Sequence, residues 1–169
     1  SILYLPAYGI AYTATTLIGQ SIGAGRGDMA NKFAWLCTKL NTVMILAVCI
    51  PIFIFAAPIV TIFTPSQEVV ELGKITLRLA AGFEIFFSTF VVISGVCSGA
   101  ADVKTQLFVS TIGVWIVRLS LAYVLGVVLK GGLLGVWIAI SADVIWRGVT
   151  MLIRLKSKKW LPPALRQAA

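Results

Sequence analysis

The chain has 169 residues, of which 59% are hydrophobic and 12% are charged, and its mean hydropathy is +0.99. Soluble domains carry about a quarter charged residues, so this composition excludes a water-soluble globular protein. The surplus of apolar residues must face lipid, which predicts an integral membrane protein whose first partner is the lipid bilayer.

Long apolar stretches predict an all-α, polytopic membrane helix bundle. A helix needs about 20 apolar residues to cross the hydrocarbon core at 1.5 Å per residue. No charge occurs in residues 1–25 or in residues 40–67, and three further apolar stretches follow. Transmembrane β-strands would instead give alternating segments of about ten residues. We predict five transmembrane helices, at about 2–22, 31–63, 67–98, 106–129 and 133–155.

Turn-forming residues separate these predicted helices. They are Gly23 to Asp28, Thr64 to Ser66 with Ser66 as a candidate N-cap, Gly99 to Asp102, and Gly131-Gly132. Inside the helices, Gly95 with Gly99 and Gly19 with Gly23 follow the spacing of small residues at which membrane helices approach closely. We therefore expect two close helix contacts.

The distribution of Lys and Arg predicts the orientation. Nine basic residues fall on one side of the predicted bundle, three on the other, and two within helices. The nine are Arg26, Lys32, Lys39, Lys104, Arg154, Lys156, Lys158, Lys159 and Arg166. This bias places the tail, residues 161–169, in the cytoplasm, with Trp160 as an interface anchor. It accounts for the net charge of +8 without nucleic acid as a partner.

Several kinds of chemistry are absent from the sequence. The chain has no His, which excludes a His-based zinc site and a Ser–His pair. Its three cysteines lack metal-ligand spacing, and there is no P-loop. We predict no metal site, no cofactor and no enzymatic activity.

Four charged residues lie well inside the apolar parts of predicted helices, where a charge at mid-bilayer costs at least ~2.5–3.5 kcal/mol on insertion scales. Glu84 is a candidate site for a proton, a sodium ion or a cationic substrate; alternatively it is a structural acid bonded to another helix or wetted at the surface. Arg118 either pairs with an acid on another helix or lines a polar cavity, as an ion- or substrate-binding residue. Asp143 and Arg147, four residues apart with the acid first, predict an internal ion pair, with a transport role as the alternative.

Four segments, in this order, resemble motifs of the MATE (multidrug and toxic compound extrusion) transporters. They are Gly9 to Gly25, which resembles the family's second-helix signature; Ser94 to Asp102, its "RGAGDT" turn; Arg118 to Tyr123, its "R-x-P-L-A-Y" motif; and Gly135 to Trp160, its last helix and C-terminus. The chain departs from these motifs at Ser98 for Arg, Ala101 for Gly, and Ser120 for Pro.

This resemblance implies a secondary antiporter of two six-helix lobes that exports cationic or amphipathic drugs in exchange for Na⁺ or H⁺. The five helices would be helices two to six of the second lobe, so that residues 1–160 form a partial C-terminal lobe in a bacterial or archaeal inner membrane. The N-terminal lobe would be the missing partner. In sodium-coupled members the acid of this lobe falls near Phe87, about a turn from Glu84.

Two other functions stay open. A lipid-linked oligosaccharide or polysaccharide flippase of the same superfamily would need a more cationic cavity, since its substrates are anionic. A membrane fragment that does not transport is the other alternative. Seven further hydrophobic segments encoded upstream would favour the transporter.

Overall fold

The computed structural model describes residues 4–63, 67–128 and 132–166, and within these residues the chain is helical, without β-strands. The all-α membrane bundle expected from composition is therefore confirmed. The helices are α1 (Tyr4–Gly23), α2 (Gly27–Ile54), α3 (Ala56–Phe63), α4 (Gln67–Gly99), α5 (Val103–Val128) and α6 (Gly132–Lys156), followed by a short 3-10 turn (Pro163–Leu165). The predicted turn at 64–66, with its Ser66 cap, and Gly131 lie outside the described residues.

Among the described residues, α2, α5 and most of α4 and α6 are long and apolar enough to cross a membrane. Helix α1 was also predicted to span the membrane, but it is not apolar enough by the same measure. It has 20 residues and no charge, but its tyrosine, threonine and glycine residues make it less apolar than the other four. Its crossing of the membrane stays a prediction.

The predicted helix at 31–63 is wrong in its continuity and in its start. The structure has α2 beginning at Gly27, and a break at Phe55 separates α2 from α3. Pro58 accounts for the break, because it has no N–H to bond the carbonyl four residues earlier and it fits without strain in the first turn of α3. Pro51 lies inside α2 without ending it, and the Phe55 N–H still donates to the Pro51 carbonyl at 2.8 Å.

Helix α4 forms the centre of the bundle. In its most apolar 18-residue stretch 61% of the residues are buried, whereas in that of α5 only 6% are. Glycines bring α1 very close to it: a Cβ on Gly99 would lie 2.5 Å from the Thr15 carbonyl oxygen, and Gly95 faces the backbone of Ala11. The Thr15 hydroxyl also donates to the Gly95 carbonyl at 2.9 Å. The predicted close approach is confirmed for these positions, whereas Gly23 faces open space.

The residues after α6 fold back onto the bundle. Trp160 is 2% exposed and its Nε1 donates to the Leu155 carbonyl at 3.2 Å, so its predicted role as an interface anchor is wrong. Leu161 is buried beside it. The 3-10 turn then lies against the start of α2, where a Cβ on Gly27 would be 2.9 Å from the Leu165 Cβ. Trp160 and Leu161 therefore belong to the core.

Candidate ion and substrate site

Helices α4, α5 and α6 line a cavity of about 260 Å³. It contains all four charged residues expected from the sequence to matter, which are Glu84, Arg118, Asp143 and Arg147. The remaining lining residues are mostly apolar or aromatic: Ala80, Phe83, Phe87, Trp137, Ile140, Ser141 and Val144. The lining residues of α4 are three or four positions apart and therefore lie on one face of that helix, and the same holds for α6. The cavity forms where these two faces meet.

Glu84 has no ion-pair partner among the residues that the structure describes. Its side chain is 5% exposed, and its Oε1 atom has no hydrogen-bond partner among the residues that the structure describes. Ser88, one turn further on, donates instead to the Ile85 carbonyl and accepts from the Asn41 amide at 3.1 Å. A buried carboxylate oxygen without a partner is costly.

Asp143 and Arg147 form a two-pronged ion pair on α6. The Arg147 Nε donates to Asp143 Oδ1 at 2.7 Å, and Nη2 donates to Oδ2. The aspartate side chain is 1% exposed, and the guanidinium lies 5.5 Å from the Phe90 ring centroid. Gly113 of α5 covers the pair, because a Cβ there would come within 2.9 Å of the Arg147 Nε. The two charges thus largely neutralise each other.

Arg118 reaches the cavity from an unusual part of α5. Residues Ile112–Arg118 form a π-helical segment, in which the Leu119 N–H bonds the Val114 carbonyl five residues back. Such wide turns often occur at functional sites. Arg118 is half-buried and has no ion pair or hydrogen bond within the described parts of the chain. It therefore faces the same space as Glu84 without a direct partner.

A second cavity, of about 450 Å³, lies next to the first and was not expected from the sequence. It shares Phe87 and Arg147 with the first cavity, so these two residues stand at the boundary between them. Its wall includes Ser94, whose buried hydroxyl has no partner among the described residues. The remaining lining residues are Tyr8, Ala11, Tyr12, Thr15, Phe90, Val91, Gly95, Ser98 and Gln106.

An ion pair between the α4–α5 turn and the end of α6 was also missed. Arg154 donates from Nε and Nη2 to Asp102 Oδ2, at 3.0 and 2.8 Å. The Thr105 hydroxyl donates to the other oxygen at 2.8 Å. The signal in the sequence was an acid in a turn and a base in the last turn of a later helix, but nothing local indicated that they meet.

The MatE family description matches residues 1–124, which is most of the chain. This chain belongs to the MATE family. A "Probable multidrug resistance protein NorM" of Thermotoga maritima is 30% identical over 163 residues, covering 95% of the chain and 34% of the relative. A protein of the same name from Bacillus cereus is 28% identical over 155 residues, covering 92% and 34%.

Solved MATE structures share this fold. An inward-facing multidrug resistance MATE transporter of the MOP superfamily superposes with a TM-score of 0.83 at 20% identity, covering 99% of this chain and 38% of that one. The eukaryotic MATE transporter AtDTX14 gives 0.86 at 21% identity, covering 98% and 37%. The chain spans about a third of the length of the relatives it matches. MATE proteins are multi-pass membrane transporters rather than enzymes, and this chain is a multi-pass membrane protein.

One departure from the MATE motifs has a visible structural cost. The turn between α4 and α5 carries Ala101 where the family motif has Gly, and Ala101 has a φ of 60°. A side chain in this left-handed region clashes with its own backbone, which glycine avoids. The turn keeps its geometry with a residue that is poorly suited to it.

Proposed function

We propose that this chain is part of a secondary antiporter that exports cationic or amphipathic compounds in exchange for Na⁺ or H⁺. The observation that carries the proposal is the buried Glu84, whose Oε1 atom is unpaired among the described residues and lies in a cavity between helices. The multidrug resistance names of its relatives agree with this reading.

The walls of the cavity suit a cation that also has an apolar body. Phe83, Phe87 and Trp137 supply aromatic surface beside the carboxylate. Aromatic faces attract cations, and they bury apolar rings. Because Asp143 is occupied by Arg147, Glu84 is the acid available to a ligand within the described cavity. One acid that binds either the coupling ion or the substrate, but not both together, would couple the two in exchange.

The partner of this chain would be the N-terminal lobe of the same transporter, in a bacterial or archaeal inner membrane with the tail in the cytoplasm. Substrate sites of such transporters lie between two repeats, so one lobe supplies one wall. We therefore expect the 169-residue chain alone to confer no drug efflux on a sensitive strain. Efflux by the chain alone would contradict this partnership and point to a self-assembling transporter.

A flippase for lipid-linked oligosaccharides is the second candidate, and Arg118 is the observation that favours it. An unpaired arginine in the cavity is suited to an anionic phosphate. The two functions separate on the charge variants: a drug antiporter loses activity with Glu84→Gln and keeps it with Arg118→Gln, whereas a flippase shows the reverse.

The decisive experiment is efflux in inverted vesicles that contain the complete transporter, driven either by a Na⁺ gradient or by a pH gradient. Glu84→Gln keeps the shape of the side chain and removes its charge, so we expect normal insertion and loss of ion-driven efflux. Glu71→Gln is the matched control, because Glu71 lies on the same helix with a side chain that is 71% exposed. Wild-type efflux by Glu84→Gln under both gradients would reduce Glu84 to a structural acid.

A further inference from the structure

Helices α2 and α4 form a groove of about 190 Å³ that is separate from the two cavities described above. Gly82 and Ile85 lie about 100° or more around α4 from Glu84, whereas Ala81 is three residues before Glu84 on a neighbouring part of the helix surface. All the lining residues are apolar, glycine or cysteine: Leu46, Cys49, Ile50, Phe53, Ile54, Ala81, Gly82 and Ile85.

The groove has a buried floor and open walls. Cys49 and Ala81 at the floor are 5% and 3% exposed. Ile50 and Phe53 on the α2 wall are 52% and 50% exposed, so the groove opens outward from the bundle. Gly82 leaves room on the α4 wall, because a Cβ built there meets no atom within 4 Å. An open apolar slot of this kind, on two helices long enough to cross a membrane, is suited to hydrocarbon.

The positively charged side chain of Arg78 lies at one end of the groove. Arg78, one turn before Ala81 on α4, lies over the Phe53 ring with its Cζ 5.5 Å from the centroid, and its Nε donates to the Phe53 carbonyl at 3.3 Å. No salt bridge to Arg78 occurs among the described residues, and the exposed acid Glu71 pairs instead with Lys74 at 3.4 Å. The two terminal nitrogens of the guanidinium therefore remain free to donate to an anion.

The position of Arg78 near one end of an apolar segment suits a lipid headgroup. It lies five residues into the apolar segment Gly73–Gly99, which is about 7.5 Å along the helix axis at 1.5 Å per residue. A long arginine at that depth extends toward the interface, where phosphate groups lie. The groove runs from Arg78 toward the middle of the segment, so its polar end and its apolar part match the two parts of a phospholipid.

We propose that this groove binds an anionic phospholipid, with one acyl chain between α2 and α4 and the phosphate on Arg78. The guanidinium of Arg78 at one end of the groove, which has no acid partner among the described residues, favours a phospholipid over the apolar side chains of a covering helix. An acyl chain is narrow enough for the slot and is always present around it. The proposal is independent of what the transporter carries.

Native mass spectrometry of the complete protein tests this proposal, with phosphatidylglycerol and phosphatidylcholine added in detergent. We expect a retained phosphatidylglycerol adduct and a preference of about fivefold over phosphatidylcholine, which is what one basic residue near an anionic headgroup contributes. Arg78→Gln should abolish the preference while some lipid remains bound. Gly82→Leu fills the groove and should remove the adduct, whereas Gly9→Leu, which adds the same side chain at another open position, should not.

A photoactivatable phosphatidylglycerol gives a second readout on the unmodified protein, in case Gly82→Leu fails to fold. Labelling of peptides that contain residues 46–54 and 78–85 would support the proposal. Labelling confined to other peptides would overturn it, as would equal adducts for Gly82→Leu and Gly9→Leu. Equal retention of both lipids by the wild-type protein would refute the role of Arg78.

Discussion

Replacing Gly95 by alanine should destabilise the protein, although a glycine-to-alanine change at an uncrowded helix position usually stabilises a helix. A Cβ at Gly95 would lie 2.9 Å from the Ala11 Cα and still closer to its carbonyl oxygen. These are backbone atoms, so α1 must shift, which costs about 1–3 kcal/mol, and the Thr15 bond to the Gly95 carbonyl weakens by about 1 kcal/mol. Higher helix propensity returns about 1 kcal/mol. The net loss is therefore about 1–3 kcal/mol.

The assay is thermal unfolding of the complete protein in detergent with a thiol-reactive fluorescent dye. All three cysteines of the chain, Cys37, Cys49 and Cys97, are buried and free, so the dye reacts as the bundle opens. Gly9→Ala is the control, because a Cβ at Gly9 meets nothing within 4 Å and only the gain in propensity remains. We expect Gly95→Ala to melt several degrees below wild type and Gly9→Ala at or above it. Equal melting of the two variants would refute the close packing of α1 on α4.

Three further predictions rest on other features. Ala101→Gly should raise the melting temperature, because a left-handed residue other than glycine costs about 1–2 kcal/mol; a drop would contradict the strained turn. Asp143→Asn should cost about 3–5 kcal/mol by leaving Arg147 buried and unpaired, and Arg147→Gln in the same protein should recover much of the loss; a neutral single variant would show that the pair is unimportant. Single cysteines at Glu71 and Ser157 should be labelled by an impermeant thiol reagent from opposite sides of the membrane, and labelling of both from one side would overturn the predicted orientation.

Most of the fold follows from the sequence because lipid exposure imposes long uncharged stretches. The predicted helices at 67–98, 106–129 and 133–155 begin and end within three residues of α4, α5 and α6 in the structure. The break at Phe55 was also encoded, since Pro58 cannot donate a backbone bond, but the apolar run around it hid the interruption. The π-helical segment Ile112–Arg118 was not predicted, and no residue pattern in the sequence marks the extra residue in its turn.

The charged residues of the site could be picked out one by one, but not their arrangement. The spacing of Asp143 and Arg147 indicated a pair, because four residues make one helical turn. That Glu84 shares a cavity with them depends on which faces of α4 and α6 meet, and no local pattern specifies that meeting. The pair of Asp102 with Arg154 is 52 residues apart in sequence and could only be recognised once the bundle was known.

The contact of Leu165 with Gly27 also bears on how the chain folds as it is made. These two residues are 138 positions apart (165 minus 27), so the turn between α1 and α2 cannot complete its packing until the segment around Leu165 has left the ribosome. Until then, apolar surface at that end of the bundle, including the site that will receive Trp160 and Leu161, stays uncovered. Unfinished chains thereby expose the kind of surface that chaperones and proteases recognise, and this end of the bundle closes only after α6 and the segment that follows it have been made.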